Sequence, residues 1–121
     1  LNAERFVVMG DKTQLMNVVS NLIDNANKYS KEKPELLVKT FNKEQYLIVQ
    51  FSDKGIGIQK KYLKKVFEKY FRIPKGNMHD VKGFGLGLAY VKKIIELHEG
   101  TIDLYSEEGK GTIFTIILPN V

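Results

Sequence analysis

The chain contains no cysteine, so neither a disulfide nor a thiolate metal site is open to it. Its stability has to come from packing, and 121 residues are enough for one domain to supply a core. The absence of thiols agrees with a reducing compartment, and the cytoplasm is the expected location. No stretch approaches the ~18 consecutive apolar residues that a bilayer span requires, so direct membrane insertion by this chain is not expected. The opening residues, Leu1-Asn2-Ala3-Glu4-Arg5, lack the apolar region of a signal peptide. Strand-like residues follow at once with no initiating Met, and the chain reads as a piece excised from a longer protein. There is no internal repeat and no low-complexity tract.

The charge is unbalanced, with 19 basic against 14 acidic residues and a net +5. A basic surface can serve nucleic acid, lipid or a polyphosphate ligand. Lys60-Lys61 and Lys64-Lys65 lie inside an amphipathic pattern, which is the wet face of a helix rather than an arm that reads a groove. The aromatic residues sit at core-periodic positions rather than on an open stacking platform. No nucleic-acid partner is expected.

Phe6-Val7-Val8-Met9 reads as a short strand, and Asp11 with Gln14 signals a capping box. Residues 12–29 then form a helix, with Leu15, Val18, Val19, Leu22, Ile23 and Ala26 at helical spacing. Pro34 breaks the chain. Residues 36–41 and 46–51 are β-rich runs joined by Asn42-Lys43-Glu44-Gln45, a hairpin. Residues 59–71 form a second helix with Leu63, Val66, Phe67, Tyr70 and Phe71 on its apolar side. Residues 73–82 are aperiodic and carry Pro74, Gly76, Asn77 and Asp80, so they form a loop. A third helix follows Gly83-Phe84-Gly85-Leu86-Gly87-Leu88, and residues 101–105 and 112–118 are two last strands. The pattern predicts an α/β two-layer sandwich: a mixed, mostly antiparallel sheet of about five strands with three main helices on one face.

Four features carry chemistry. Asn21, Asn25, Lys28 and Tyr29 share one side of the first helix. Asparagine is a poor helix former, and two in register suggest a use. A carboxamide oxygen suits Mg²⁺, which keeps water and phosphate oxygens as its other ligands; a solvent-facing polar stripe would look the same. Asp53-Lys54-Gly55-Ile56-Gly57-Ile58 follows a strand. Its carboxylate can accept from the exocyclic amine of adenine and would repel the oxygen of guanine, although an ordinary capped turn has the same pattern. Gly83-x-Gly85-x-Gly87 opens a helix, where backbone N–H groups bind phosphate. No strand directly precedes it, so it is not a dinucleotide fingerprint, and it lacks the Lys-Ser/Thr end of a P-loop. Gly109-Lys110-Gly111-Thr112 turns tightly into the last strand.

The order of these features, with Phe67 and Phe71 between the second and third, closely resembles the ATP-binding domain of sensor histidine kinases. That family shares its fold with DNA gyrase, the Hsp90 chaperone and MutL. The resemblance spans essentially the whole chain. It is most specific at Asn21-Leu22-Ile23-Asp24-Asn25-Ala26-Asn27-Lys28-Tyr29-Ser30 and at Gly85-Leu86-Gly87-Leu88. It implies that Asn25 ligates a Mg²⁺ that bridges the phosphates of ATP, that Asn21 and Lys28 contact phosphate, and that Tyr29 lies against the adenine. It implies that Asp53 binds the adenine amine, with Ile58 on the ring and Gly55 and Gly57 allowing close approach. Arg72 would reach the terminal phosphate, and Gly83, Gly85, Leu86, Gly87 and Leu88 would line the phosphates with backbone N–H groups. Thr112 would line the adenine end, and residues 73–83 would form a lid. Phe84 stands where a small hydroxyl residue is often found, so no hydroxyl contact is expected there.

Hydrolysing relatives carry a glutamate four residues before the metal-binding asparagine, where it activates water. Here that position is Asn21, which has no useful basicity. The resemblance therefore implies transfer of the γ-phosphoryl group to a histidine on a separate dimerisation domain absent from this chain, with a response regulator downstream. His79 and His98 lack the sequence setting of the family's acceptor. A serine/threonine kinase of the anti-sigma type and a non-catalytic ATP/ADP-sensing module share the same boxes.

Overall fold

The computed structural model describes residues 11–28, 35–68 and 87–119. Its elements run α1 (Lys12–Lys28), β1 (Leu36–Lys43), β2 (Tyr46–Asp53), a 3-10 turn (Lys60–Tyr62), α2 (Gly87–Leu97), β3 (Thr101–Glu107) and β4 (Gly111–Pro119). The strand expected at residues 6–9 and the lid expected at 73–83 lie outside the described residues.

Asp11 starts α1. Its carboxylate accepts the Gln14 N–H at 2.9 Å, which satisfies one of the donors a helix start leaves unpaired, and its carbonyl accepts the first intrahelical bond from the Leu15 N–H at 3.0 Å. The other arm of the expected capping box is replaced: the Asp11 N–H donates to Nε2 of His98 at 2.9 Å. His98 lies just past the end of α2 and donates through Nδ1 to the Ile94 carbonyl at 2.8 Å. The imidazole thus ties the start of α1 to the end of α2.

The sheet order is β1-β2-β4-β3, and all three ladders are antiparallel. The described residues thus hold four strands and two α-helices, fewer than the five and three expected, and no parallel pair. β1 and β2 close through Glu44-Gln45, a shorter link than the four residues expected, with Glu44 at φ 57°. The helix expected over residues 59–71 is absent from its described part, which is a 3-10 turn followed by turns. An α-helix there would stack Lys60 on Lys64 and Lys61 on Lys65, and such like-charge pairs are unfavourable. The apolar positions still pack. Val66 is buried, and Phe67 meets Phe114 edge-on with ring centroids 6.3 Å apart.

Directly opposed residues share a face of the sheet. Val49–Ile116–Ile102 and Phe51–Phe114–Leu104 form two rows across β2, β4 and β3. Those rows meet Val18 and Leu22 of α1 and Val91, Ile94 and Ile95 of α2. Both described helices therefore cover one face, and each large side chain buried there contributes about 1.5–3 kcal/mol. The apolar side of α1 is narrower than its periodic set: Val18, Leu22 and Ala26 are buried, while Val19 and Ile23 are 41% and 38% exposed. One row beyond Phe51–Phe114–Leu104 the same face changes character, to Asp53, Thr112 and Ser106.

Candidate functional site

Asp53 is the last residue of β2, not the first of the following loop, and stands directly opposite Thr112 of β4. Its half-buried carboxylate accepts the Gly55 N–H at 2.9 Å and the backbone N–H of Thr112. Burial pushes its pKa above the usual carboxylate value, and those two backbone donors only partly offset the shift. Two glycines make the junction possible. Gly111 adopts φ 125° and presses against the Asp53 carbonyl, where a Cβ would collide. Gly57, at φ 74°, turns its bare side to the carbonyl of Glu107. The missing side chain of Gly57 therefore makes room for the chain's own backbone.

That contact docks the loop after β2 onto the β3–β4 turn. The Gly109 N–H donates to the Ile56 carbonyl at 2.8 Å, and the Ile58 N–H donates to Oγ of Ser106 at 2.8 Å. Ser106 also donates to the Gly111 carbonyl at 2.9 Å and lies 2.8 Å from Oγ1 of Thr112. Gln59 adds a bond to the Glu108 carboxylate at 2.8 Å. The sequence reading ended β3 at Tyr105 and so treated Ser106 as loop. Its register opposite Thr112 is what makes it part of the site.

The second group of residues lies where α1 meets the start of α2. Asn21 and Asn25 are half-buried on α1. The Asn21 amide donates to the Asn17 carbonyl at 2.8 Å. Its Oδ1 lies 3.0 Å from where a side chain at Gly87 would begin. Gly87 is the first residue of α2, whose leading N–H groups have no partner within the helix. Leu88 packs against the core. A cavity of about 400 Å³ opens here, lined by Asn17, Ser20, Asn21, Asp24, Gly87 and Tyr90. Asn17, Ser20, Asp24 and Tyr90 went unnoticed in the sequence, because a polar side chain on a helix looks the same beside a cavity as beside bulk water.

The structure thus brings Asn21 to Gly87, joins Ile58 to Thr112 through Ser106, and joins Asp53 to Gly55 and Thr112 through their backbone N–H groups. Both groups lie on the helix-covered side of the sheet. Tyr29, Arg72, Gly83, Gly85, Leu86 and the Lys28 side chain lie outside the described residues. Among the described residues no cluster of three or more His, Cys, Asp or Glu could hold a metal by itself. Asn17, Asn21 and the Asp24 carboxylate line the cavity at this end, while Asn25, half-buried one turn further along α1, is not part of its lining. A carboxamide oxygen suits a Mg²⁺ ion that draws most of its ligands from phosphate and water.

Residues 10–121 match the family described as histidine kinase-, DNA gyrase B- and HSP90-like ATPases. The chain is 52% identical over 121 residues to the sensor protein RprX of Bacteroides fragilis, covering 98% of this chain and 23% of that protein. It is 39% identical over 109 residues to the sensor protein SrrB of Staphylococcus aureus, covering 90% of this chain and 19% of that protein. The chain spans about a fifth of the length of these relatives. Among solved structures it resembles a mycobacterial sensor histidine kinase, MprB, with a TM-score of 0.80 and 31% identity over 93% of this chain and 76% of that one. The catalytic domain of the histidine kinase ThkA matches with a TM-score of 0.77 and 27% identity, over 93% and 71% of the two chains. The chain belongs to the histidine kinase-, DNA gyrase B- and HSP90-like ATPase family. Within it, the chain is similar to sensor proteins and to the catalytic domain of a histidine kinase.

Proposed function

We propose that the chain binds ATP with Mg²⁺ and donates the γ-phosphoryl group to a histidine on a dimerisation domain of the same protein. A response regulator would be the downstream acceptor and the cytoplasm the site of action. The observation that carries this reading is Asp53. A half-buried carboxylate bonded to backbone N–H groups still has acceptor capacity for the amino group of adenine. Thr112 lies beside it, and Ile58 would pack on the ring. At the other end, Asn21 and Lys28 would meet the phosphates together with N–H groups at the start of α2. Asn25 would hold Mg²⁺, which supplies neutralisation of phosphate charge when bound.

Asn21 supports transfer over hydrolysis. Its amide donates to a backbone carbonyl and cannot take a proton from water, so the γ-phosphoryl group is kept for a better nucleophile. An imidazole nitrogen brought into line would form the new N–P bond as the bond to the ADP oxygen breaks. The chain's own part is to hold the nucleotide still and present donors to the transferring charge. The test is ATP turnover by the chain alone. Binding should appear as a rise in melting temperature of several degrees at ~100 times the dissociation constant, with hydrolysis barely above the rate without protein. Rapid release of inorganic phosphate would instead favour a gyrase-like ATPase.

A further inference from the structure

Ser106 belongs to none of the motifs, yet its hydroxyl is bonded three times. It accepts from Ile58 N–H, donates to the Gly111 carbonyl, and lies 2.8 Å from Oγ1 of Thr112. A hydroxyl has one proton and two lone pairs. The proton goes to the Gly111 carbonyl, because that oxygen can only accept. One lone pair takes the Ile58 N–H. The bond to Thr112 must then use the Thr112 proton.

Thr112 is 6% exposed, so its hydroxyl has little access to water and depends on protein partners. With its proton committed to Ser106, Thr112 has only lone pairs left for a ligand. Its cross-strand partner Asp53 projects from the same face and is also an acceptor. Resting on the proposed adenine site, we infer that Ser106 is a specificity-determining residue. By holding the Thr112 proton, it makes the base end of the site acceptor-only. Such an edge suits the amino group of a 6-aminopurine and opposes the carbonyl of a 6-oxopurine. A Thr112 hydroxyl free to rotate would offer that carbonyl a donor and relax the selection. Ser106 acts through Thr112 and is a positioning residue.

Affinities for ATP and GTP, each with Mg²⁺, are measured by calorimetry, with competition against ATP where GTP binds weakly. Wild type should prefer ATP. Ser106→Ala should narrow the ATP-over-GTP ratio by about tenfold, the scale of one hydrogen bond changed in sign. Thr112→Ser, which keeps the hydroxyl, should preserve the ratio. If Ser106→Ala does not melt cooperatively, Ser106→Cys keeps the shape, slightly enlarged, with a much weaker hydrogen-bonding group and should narrow the ratio in the same sense. A purely structural role would weaken both nucleotides in parallel and leave the ratio unchanged, which overturns the inference. Wild type without preference would instead overturn the adenine site itself.

Discussion

At the base end of the candidate site the groups hang on strands. Asp53, Thr112 and Ser106 form one row across β2, β4 and β3, cross-linked by Ser106 and locked by glycines that admit no Cβ. At the phosphate end the groups sit on two helices that meet through Asn21 and Gly87, beside an open cavity. A strand register positions side chains to a fraction of an ångström because every residue is tied to its neighbours. A helix contact leaves more freedom, which would suit a region that, on the proposed function, releases one phosphate and admits an acceptor. Selectivity should therefore reside in the sheet and turnover in the helices.

The largest effect should come from breaking the base end. Asp53→Asn keeps the shape and an acceptor oxygen for the Gly55 N–H, but it loses the charge, and ATP affinity should fall by about 100-fold. The ligand-free variant should not be weaker. Burial raises the Asp53 pKa, so the stability this group contributes is full below its unfolded pKa and lost as pH rises through the folded value. The variant does not titrate. It should melt slightly above wild type at neutral pH, with the gap closing as pH falls toward the ordinary carboxylate range. Thermal melts without nucleotide at several pH values test the sign.

A smaller effect is expected at the phosphate end. Asn25→Ala should weaken Mg²⁺·ATP about tenfold and remove the Mg²⁺ dependence, with the melting temperature nearly unchanged. Its neighbour separates binding from folding. Ala26 is 3% exposed, and Ala26→Asn buries a carboxamide at a cost of about 2–3 kcal/mol. If Asn25→Ala unfolds the domain and Ala26→Asn does not, the two faces of α1 have been exchanged. The smallest effect belongs to Gly87→Ala. The added methyl would sit 3.0 Å from the Asn21 oxygen, so Asn21 must shift by a few tenths of an ångström. ATP affinity should drop only a few-fold, about 1 kcal/mol or less, with little change in melting temperature. A loss as large as that of Asp53→Asn would contradict the contrast between a rigid base end and a tolerant phosphate end.

The same contrast explains what could be read from the sequence. The β1–β2 and β3–β4 hairpins were legible because their pairing is local and their β-rich runs are bounded by turn residues. The β2–β4 ladder joins Asp53 to Thr112 across a long intervening stretch, and no local pattern encodes which strands meet that way. Asp53 and Thr112 were nominated separately, while Ser106, which ties Thr112 to the loop at Ile58, was missed with the strand end. Gly57 was read as a place for close approach to a ligand, whereas its neighbour in the structure is the Glu107 carbonyl. Residues 59–71 show that apolar spacing identifies a buried face without fixing the backbone: Val66 and Phe67 pack as expected although their described backbone is not α-helical. Asn21 was legible because two asparagines in register within a helix have a propensity cost that needs a reason.

Transfer to histidine is the central claim, and the direct measurement is to supply the missing acceptor. The chain is incubated with Mg²⁺ and ATP labelled at the γ-phosphate, alone and with the dimerisation segment of its own protein. The chain alone should stay unlabelled. The added segment should acquire label that is lost in acid and retained in base, the behaviour of phosphohistidine. Label on serine or threonine, stable in acid, or label released as inorganic phosphate at the same rate with and without the segment, would contradict the account.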